Sequence, residues 1–152
     1  FYPNSHVAHN NLGSLRFREG KEEEAFQYYQ DSLAIRPNGM AYYNLGQLYT
    51  ERGQTGEALK AYHNALQFRP TDVKTLVNLG AMEIEVGDYA SAIDHLSLAR
   101  ELDDSFVSIH YNLGVAYGKQ GKGEEALSAF KRLLEITPGD MEVQELVRKL
   151  ER

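Results

Sequence analysis

Asparagine side chains recur at a regular interval in this chain, at Asn11, Asn44, Asn78 and Asn112. A carboxamide carries two N–H donors and an acceptor oxygen. A row of carboxamides on one surface could therefore bind the backbone of an extended peptide without reading its side chains. Each asparagine begins the tripeptide Asn-Leu-Gly, and successive tripeptides are 33, 34 and 34 residues apart. The residues that could do chemistry thus belong to a repeat, and the repeated elements must position them.

The other reactive groups form no such column. His6 and His9 are three residues apart and could share a helix face as metal ligands, but no third ligand is evident and we favour a surface or packing role. Acidic residues cluster at the start of the second helix of each repeat, where negative charge is favourable against the helix dipole. The glycines around Lys122 lack the spacing of a phosphate loop. No nucleophile has a positioned base, so we predict a protein that is not an enzyme and has no metal or cofactor.

Composition narrows the class of partner. The chain has 152 residues, a formal net charge of −6 and no cysteine, which excludes disulfides and thiolate metal sites. A nucleic-acid surface needs a basic stripe, and none is evident. No apolar run is long enough to span a membrane, so we expect no direct membrane insertion. The compartment stays undetermined, since cytoplasm and periplasm fit equally well.

Glycine, alanine and proline recur at fixed positions within the repeat. A second glycine lies seven residues after the glycine of each tripeptide. An alanine lies twelve residues after that same tripeptide glycine. The second glycine falls where a helix must end and the chain must reverse, a position that favours glycine. The first glycine lies inside a helix, where it costs up to about 1 kcal/mol relative to alanine, and close helix–helix approach is the expected compensation. Proline ends the second helix of the first, second and fourth repeats, at Pro37, Pro70 and Pro138. Asp104 takes that place in the third repeat.

These residues resemble the tetratricopeptide repeat, a 34-residue helix-turn-helix unit, over essentially the whole chain. The resemblance implies an all-α fold, an α-solenoid of four repeats with a right-handed superhelical path. We expect one domain over residues 1–152, with repeats at 6–38, 39–72, 73–106 and 107–140 and a capping helix at 141–152. Arg16 and Glu83 replace a usual tyrosine, and Ser32 and Leu133 replace a usual alanine.

The two ends of the chain differ in character. After Asp140, apolar residues follow a helical spacing, and the remaining face is charged, as suits an element that caps a repeat array. That apolar stripe consists of Val143, Leu146, Val147 and Leu150. The N-terminal end begins at Phe1 and offers no such cap. We expect either that more protein precedes this end or that it self-associates.

By the same resemblance, the first helices of the repeats line a concave groove. A protein or an extended peptide is the expected partner there. Tyr43, Tyr111 and Phe17 add aromatic surface, either as anchors for the partner or as packing between repeats. The predicted groove residues are Asn10, Asn11, Ser14, Phe17, Tyr43, Asn44, Gln47, Lys74, Asn78, Tyr111, Asn112 and Lys119.

Two function classes follow. The first is a non-enzymatic scaffold that binds a peptide in its groove and assembles a complex. The second is a recognition or oligomerisation region of a larger enzyme, such as a membrane-bound glycosyltransferase. The clamp with which chaperone-binding members hold a C-terminal carboxylate is not expected, because only Asn44 and Lys74 match it. Its remaining places hold Asn10, Ser14 and Asn78.

Overall fold

A computed structural model describes residues 5–152, and within that range the secondary structure consists of nine α-helices and no strand. The prediction of an all-α fold built from helix pairs is confirmed. The N-terminal end, for which we expect no cap, lies largely outside the described residues. The helices are α1 (His6–Arg18), α2 (Glu22–Ile35), α3 (Gly39–Glu51), α4 (Thr55–Phe68), α5 (Val73–Glu85), α6 (Tyr89–Leu102), α7 (Val107–Lys119), α8 (Gly123–Ile136) and α9 (Met141–Leu150).

The helices form two compact units, Phe1–Thr75 and Leu76–Arg152. In the first unit, α1 packs on α2, α3 packs on α4, and α3 also contacts α1 and α2. In the second unit, α7 packs on α6 and on α8, and α9 packs on α8. No helix formed by residues 5–152 combines the length and the apolar character needed to cross a lipid bilayer.

The paired helices touch where the first glycine of each repeat lies. A Cβ atom added at Gly46 would lie 2.5 Å from the ring of Tyr62, a buried residue of the partner helix. At Gly80 it would lie 2.6 Å from Leu96. The expected close approach is therefore confirmed, and the group that fills the space is the bulky apolar residue of the second helix. The same contact joins Gly13 to Tyr29 and Gly114 to Phe130.

The turn inside each pair is closed by the second glycine. Gly20 adopts a φ of 74°, in the left-handed region that glycine tolerates best, and the equivalent glycines of the other repeats have φ between 67° and 82°. The N–H of Lys21 donates to the carbonyl of Arg16 at 2.9 Å, and that of Gly20 donates to Phe17 at 2.9 Å. This hydrogen-bond pair satisfies carbonyls at the end of α1.

The connection from α2 to α3 is one residue shorter than that from α4 to α5, and Asn38 organises it. Its Oδ1 accepts the N–H of Ala41 at 2.9 Å, which caps α3, and its Nδ2 donates to the carbonyl of Arg36 at 2.9 Å. A Cβ at Gly39 would lie 3.0 Å from the carbonyl oxygen of Ala65. The short connection thus seats the start of α3 against the end of α4, where only glycine fits easily.

The predicted closing helix is present as α9. Val143 and Val147 are buried in a cluster with Phe130 and Leu133 of α8. Asp140 precedes the helix, and its carboxylate accepts the N–H of Val143 at 3.1 Å. One face of α9 therefore covers the apolar side of α8.

A buried carboxylate marks the third repeat. Glu83, in the place of the usual tyrosine, is 3% exposed, and its Oε2 lies 2.9 Å from Nδ1 of His95. The hydrogen bond with Glu83 is the main reason that the pKa of His95 is raised, and it outweighs the opposing effect of burial; the nearby Asp94 also raises it. The pair compensates a carboxylate that would otherwise be costly to bury.

Gly80→Ala should destabilise the protein by about 1–3 kcal/mol, because its methyl group collides with Leu96. The measurement is urea unfolding followed by circular dichroism. Gly118→Ala is the control: it lies in α7, where an added Cβ meets nothing closer than 4.0 Å. We expect that variant to be neutral or up to about 1 kcal/mol more stable. Equal effects of the two substitutions would contradict the glycine contact.

The Glu83–His95 pair should make stability depend on pH. Because the folded-state pKa of His95 lies above its unfolded value of about 6.5, the stabilisation is fully present below that pH and is lost as pH rises through the raised value. The stability advantage of the wild type over His95→Gln should therefore shrink as the pH rises above about 6.5. The free energy of unfolding of Glu83→Gln should lack this loss with rising pH. If the same loss is measured in Glu83→Gln, the Glu83–His95 pair is excluded as its source.

Candidate functional site

The contact between α1 and α3 brings three predicted site residues of the first unit together. Nδ2 of Asn44 donates to Oδ1 of Asn10 at 2.9 Å and to Oγ of Ser14 at 3.2 Å. Oγ of Ser14 in turn donates to the backbone carbonyl of Asn10 at 3.1 Å. These bonds form a small polar network on two neighbouring first helices.

The network determines how the carboxamide of Asn44 is oriented. Ser14 has one hydroxyl proton, and it is committed to the carbonyl of Asn10, so the Asn44 atom that faces Ser14 must be the NH₂ group. Both hydrogens of that group are then used. Oδ1 of Asn44 makes no hydrogen bond to any residue of the described range 5–152. It is an acceptor held in one direction.

The two asparagines of α1 lie in different environments. Asn10 is 2% exposed, whereas the next residue, Asn11, is exposed. Asn10 therefore acts as the hydrogen-bond partner of Asn44, and Asn11 offers its carboxamide to the surroundings. Local hydrogen bonding, which the sequence leaves open as the role of this column, is observed for Asn44.

The second unit repeats the asparagines without the network. Asn78 and Asn112 are half-buried, and neither forms a hydrogen bond with any residue that the structure describes. The places that Asn10 and Ser14 occupy in the first repeat are taken in the third repeat by Val77 and Ala81, which have no polar side-chain atoms. Asn112 therefore lacks the two polar partners that Asn44 finds in the preceding repeat. Toward the described residues, both carboxamides retain their donors as well as their acceptors.

The aromatic candidates divide into two kinds. The ring centroid of Tyr43 lies 6.1 Å from that of Tyr62, and Tyr111 lies 6.2 Å from Phe130 in an edge-on contact. Tyr111 remains 37% exposed. Phe17 instead packs against the buried cluster of the first unit, which indicates a structural role.

The remaining candidates are polar and accessible to different degrees. Gln47 is half-buried in α3, whereas Lys74 in α5 and Lys119 at the end of α7 are exposed. Within residues 5–152, no three histidine, cysteine, aspartate or glutamate side chains are grouped in a way that could hold a metal ion.

Sequence reasoning did not foresee the position of Ser14 at the centre of the network. Burial raises the pKa of Tyr29, and the nearby hydroxyl of Ser14 opposes that change. Ser14 thus lies between Tyr29, which fills the space at Gly13, and the candidate surface. The repeat position of Ser14 is occupied by Gln47, Ala81 and Val115 in the other repeats. The change from polar residues in the first two repeats to apolar residues in the last two was the only sign in the sequence that Ser14 differs.

Asn10→Ala should cost about 1–3 kcal/mol of unfolding free energy, because it removes a buried partner of Asn44. Asn11→Ala is the matched control, one residue away on the same helix but exposed. It should leave stability within about 0.5 kcal/mol or improve it slightly, since alanine is the better helix former. Thermal unfolding of both variants measures the difference, and similar values would contradict a structural role for Asn10.

Comparison with known proteins gives a consistent result for the chain as a whole. Family models match residues 4–71, described as "Tetratricopeptide repeat", residues 80–121, described as "TPR repeat", and residues 107–140, described as "Tetratricopeptide repeat". A search of curated proteins found no match.

Solved structures with the same fold are numerous. A crystal structure of MamA superposes with a TM-score of 0.88 at 21% identity, covering 95% of this chain and 80% of that one. YrrB, described as a repeat protein with an unusual peptide-binding site, gives 0.82 at 22% identity, covering 93% and 74%. The first repeat domain of Spaghetti (RPAP3), bound to the HSP90 peptide SRMEEVD, gives 0.69 at 24% identity, covering 75% and 93%.

Proposed function

Because this chain belongs to the tetratricopeptide repeat family, whose fold typically serves as a non-enzymatic interaction scaffold, we propose that it binds an extended peptide segment of a partner protein. The proposed surface lies, in each unit, on the asparagine-bearing faces of the first helices, and the bound segment would recruit its protein into a complex. The contacts would be made to the peptide backbone.

The fixed acceptor of Asn44 is the observation that supports this proposal most. With both donors of its carboxamide engaged, Oδ1 can accept an N–H without first being reoriented. A contact that is already oriented costs less entropy on binding than one that must be ordered. Asn11, Asn78 and Asn112 offer further carboxamides with both donors and acceptors, which suits the alternating N–H and C=O groups of a peptide.

The near-neutral charge of the groove residues favours recognition of a peptide backbone over recognition of a C-terminal carboxylate. By the family resemblance, Arg18, Glu51 and Glu85 also face inward. Together with Lys74 and Lys119, they give charges that nearly cancel. Peptide binding in the structural neighbours, YrrB and the repeat domain of RPAP3, supports a ligand of this class. The places that a carboxylate clamp would need are largely occupied by neutral residues here, so we propose an internal, extended segment as the ligand.

Replacing Asn44, Asn78 and Asn112 together with alanine should weaken peptide binding at least about tenfold, because hydrogen bonds of about 0.5–1.5 kcal/mol each are lost. The ligand would be a synthetic peptide selected from a random display library, with affinity measured by calorimetry. Circular dichroism should show unchanged helicity, since alanine is a good helix former. The double variant Gln27→Ala/Gln67→Ala, on second helices, is the control and should bind normally.

A second arm tests the backbone contact itself. The same peptide, methylated at successive backbone nitrogens, should lose affinity at one or more positions in the wild type and lose less in Asn44→Ala. Unchanged affinity of the triple variant would remove the asparagine row from the proposal.

A further inference from the structure

A cavity of about 460 Å³ opens between α2 and α4 of the first unit, with α3 as its floor. Leu45 and Ala61 are buried at its base, and Tyr42 and Tyr49 contribute aromatic walls. Tyr42 is held by stacking on Phe68, with ring centroids 5.9 Å apart. The volume lies in the range of ordinary ligand sites, and apolar and polar side chains both line it.

This cavity lies on the opposite side of α3 from the asparagine surface. Tyr42, Leu45 and Tyr49 are spaced by three and four residues and therefore share one stripe of the helix. Asn44 and Gln47 lie about half a turn away from that stripe at 100° per residue. The cavity is therefore a separate site, and it does not depend on the function proposed above.

Polar groups that have no partner among residues 5–152 line the cavity from both flanking helices. Gln30 of α2 and Asn64 of α4 line it, and neither makes a hydrogen bond within residues 5–152. Glu57 and Lys60 also line it, three residues apart on α4, yet neither forms an ion pair with any described residue. Two free carboxamides and a balanced pair of charges surround an apolar floor.

The second unit has a cavity at the same repeat position, and its chemistry is different. There, His110 takes the place of Tyr42, and Arg132 takes that of Asn64. Nε2 of His110 lies 2.8 Å from the carbonyl oxygen of Asp104, and Arg132 donates to the carboxylates of Asp104 at 2.9 Å and Glu135 at 2.6 Å. These polar groups already satisfy one another, whereas Gln30 and Asn64 do not.

We propose that the cavity between α2 and α4 binds a short, uncharged peptide segment with one large apolar side chain. The side chain enters between Tyr42 and Tyr49 above Leu45. Its flanking peptide groups bond to the carboxamides of Gln30 and Asn64, which can each donate and accept. The balance of Glu57 against Lys60 favours a segment without net charge.

Nuclear magnetic resonance of the ¹⁵N-labelled full chain, titrated with N-acetyl-phenylalanine N-methylamide, tests this site. Saturable shifts are expected for amides of α2, α3 and α4 that border the cavity, with a millimolar dissociation constant for so small a probe. Gln30→Ala/Asn64→Ala should weaken binding at least threefold. The matched control Gln27→Ala/Gln67→Ala, which changes two exposed carboxamides on the same two helices outside the cavity lining, should leave it unchanged.

Two further arms keep the result decisive. Ala34→Trp places a large side chain at an exposed position of the cavity rim and should abolish the shifts without disturbing the core. A probe without a peptide group or any other hydrogen-bonding group, toluene, should bind more weakly and be insensitive to Gln30→Ala/Asn64→Ala. Shifts that never saturate, or that survive Ala34→Trp, would overturn the site. Equal binding of toluene would overturn the peptide as its occupant. Failure of the asparagine surface to bind peptide would leave every one of these outcomes unaffected.

Discussion

The contact between a helical glycine and a bulky apolar residue of the partner helix is the constraint on which each repeat depends. At Gly13, Gly46, Gly80 and Gly114 the missing side chain leaves space that a ring or a leucine fills. Glycine lowers helix propensity by up to about 1 kcal/mol at these positions, and burial of a large side chain offsets that loss. Because the contact sets the distance between paired helices, it also sets which residues of the first helix remain at the surface.

Those surface residues carry different chemistry on the two sides of α3. On one side, hydrogen bonds to Asn10 and Ser14 orient the carboxamide of Asn44 and leave a single acceptor available. On the other side, Gln30 and Asn64 retain all of their hydrogen-bonding capacity above an apolar floor. The fixed acceptor of Asn44 suits a donor that approaches from one direction. The carboxamides of Gln30 and Asn64 can each donate or accept and can therefore adapt to different ligands. A scaffold with both could hold two segments of one partner or of two.

Much of the architecture could be predicted from the sequence, because a 34-residue period with glycine at fixed places indicates helix pairs. The candidate surface was only partly predictable. The repeat position of Asn44 was evident, but the burial of Asn10 depends on how α1 is rotated against α3, which a periodic pattern does not specify to one residue. The cavity between α2 and α4 was not foreseen, since its volume depends on how α2, α3 and α4 pack together. A sequence also does not show that Gln30 and Asn64 lack partners among the described residues.

The third repeat replaces the usual proline with Asp104, and the consequence concerns how firmly one connection is held. A proline ring restricts its backbone covalently, under all solution conditions. Asp104 instead ties its loop through His110 and Arg132, with the side chains of Asp104 and Arg132 each more than 40% exposed. Exposed ion pairs weaken as mobile ions accumulate around them. The loop between α6 and α7 is thus held in part by contacts that weaken as ionic strength rises, whereas a proline ring restrains its own backbone equally in dilute buffer and in concentrated salt.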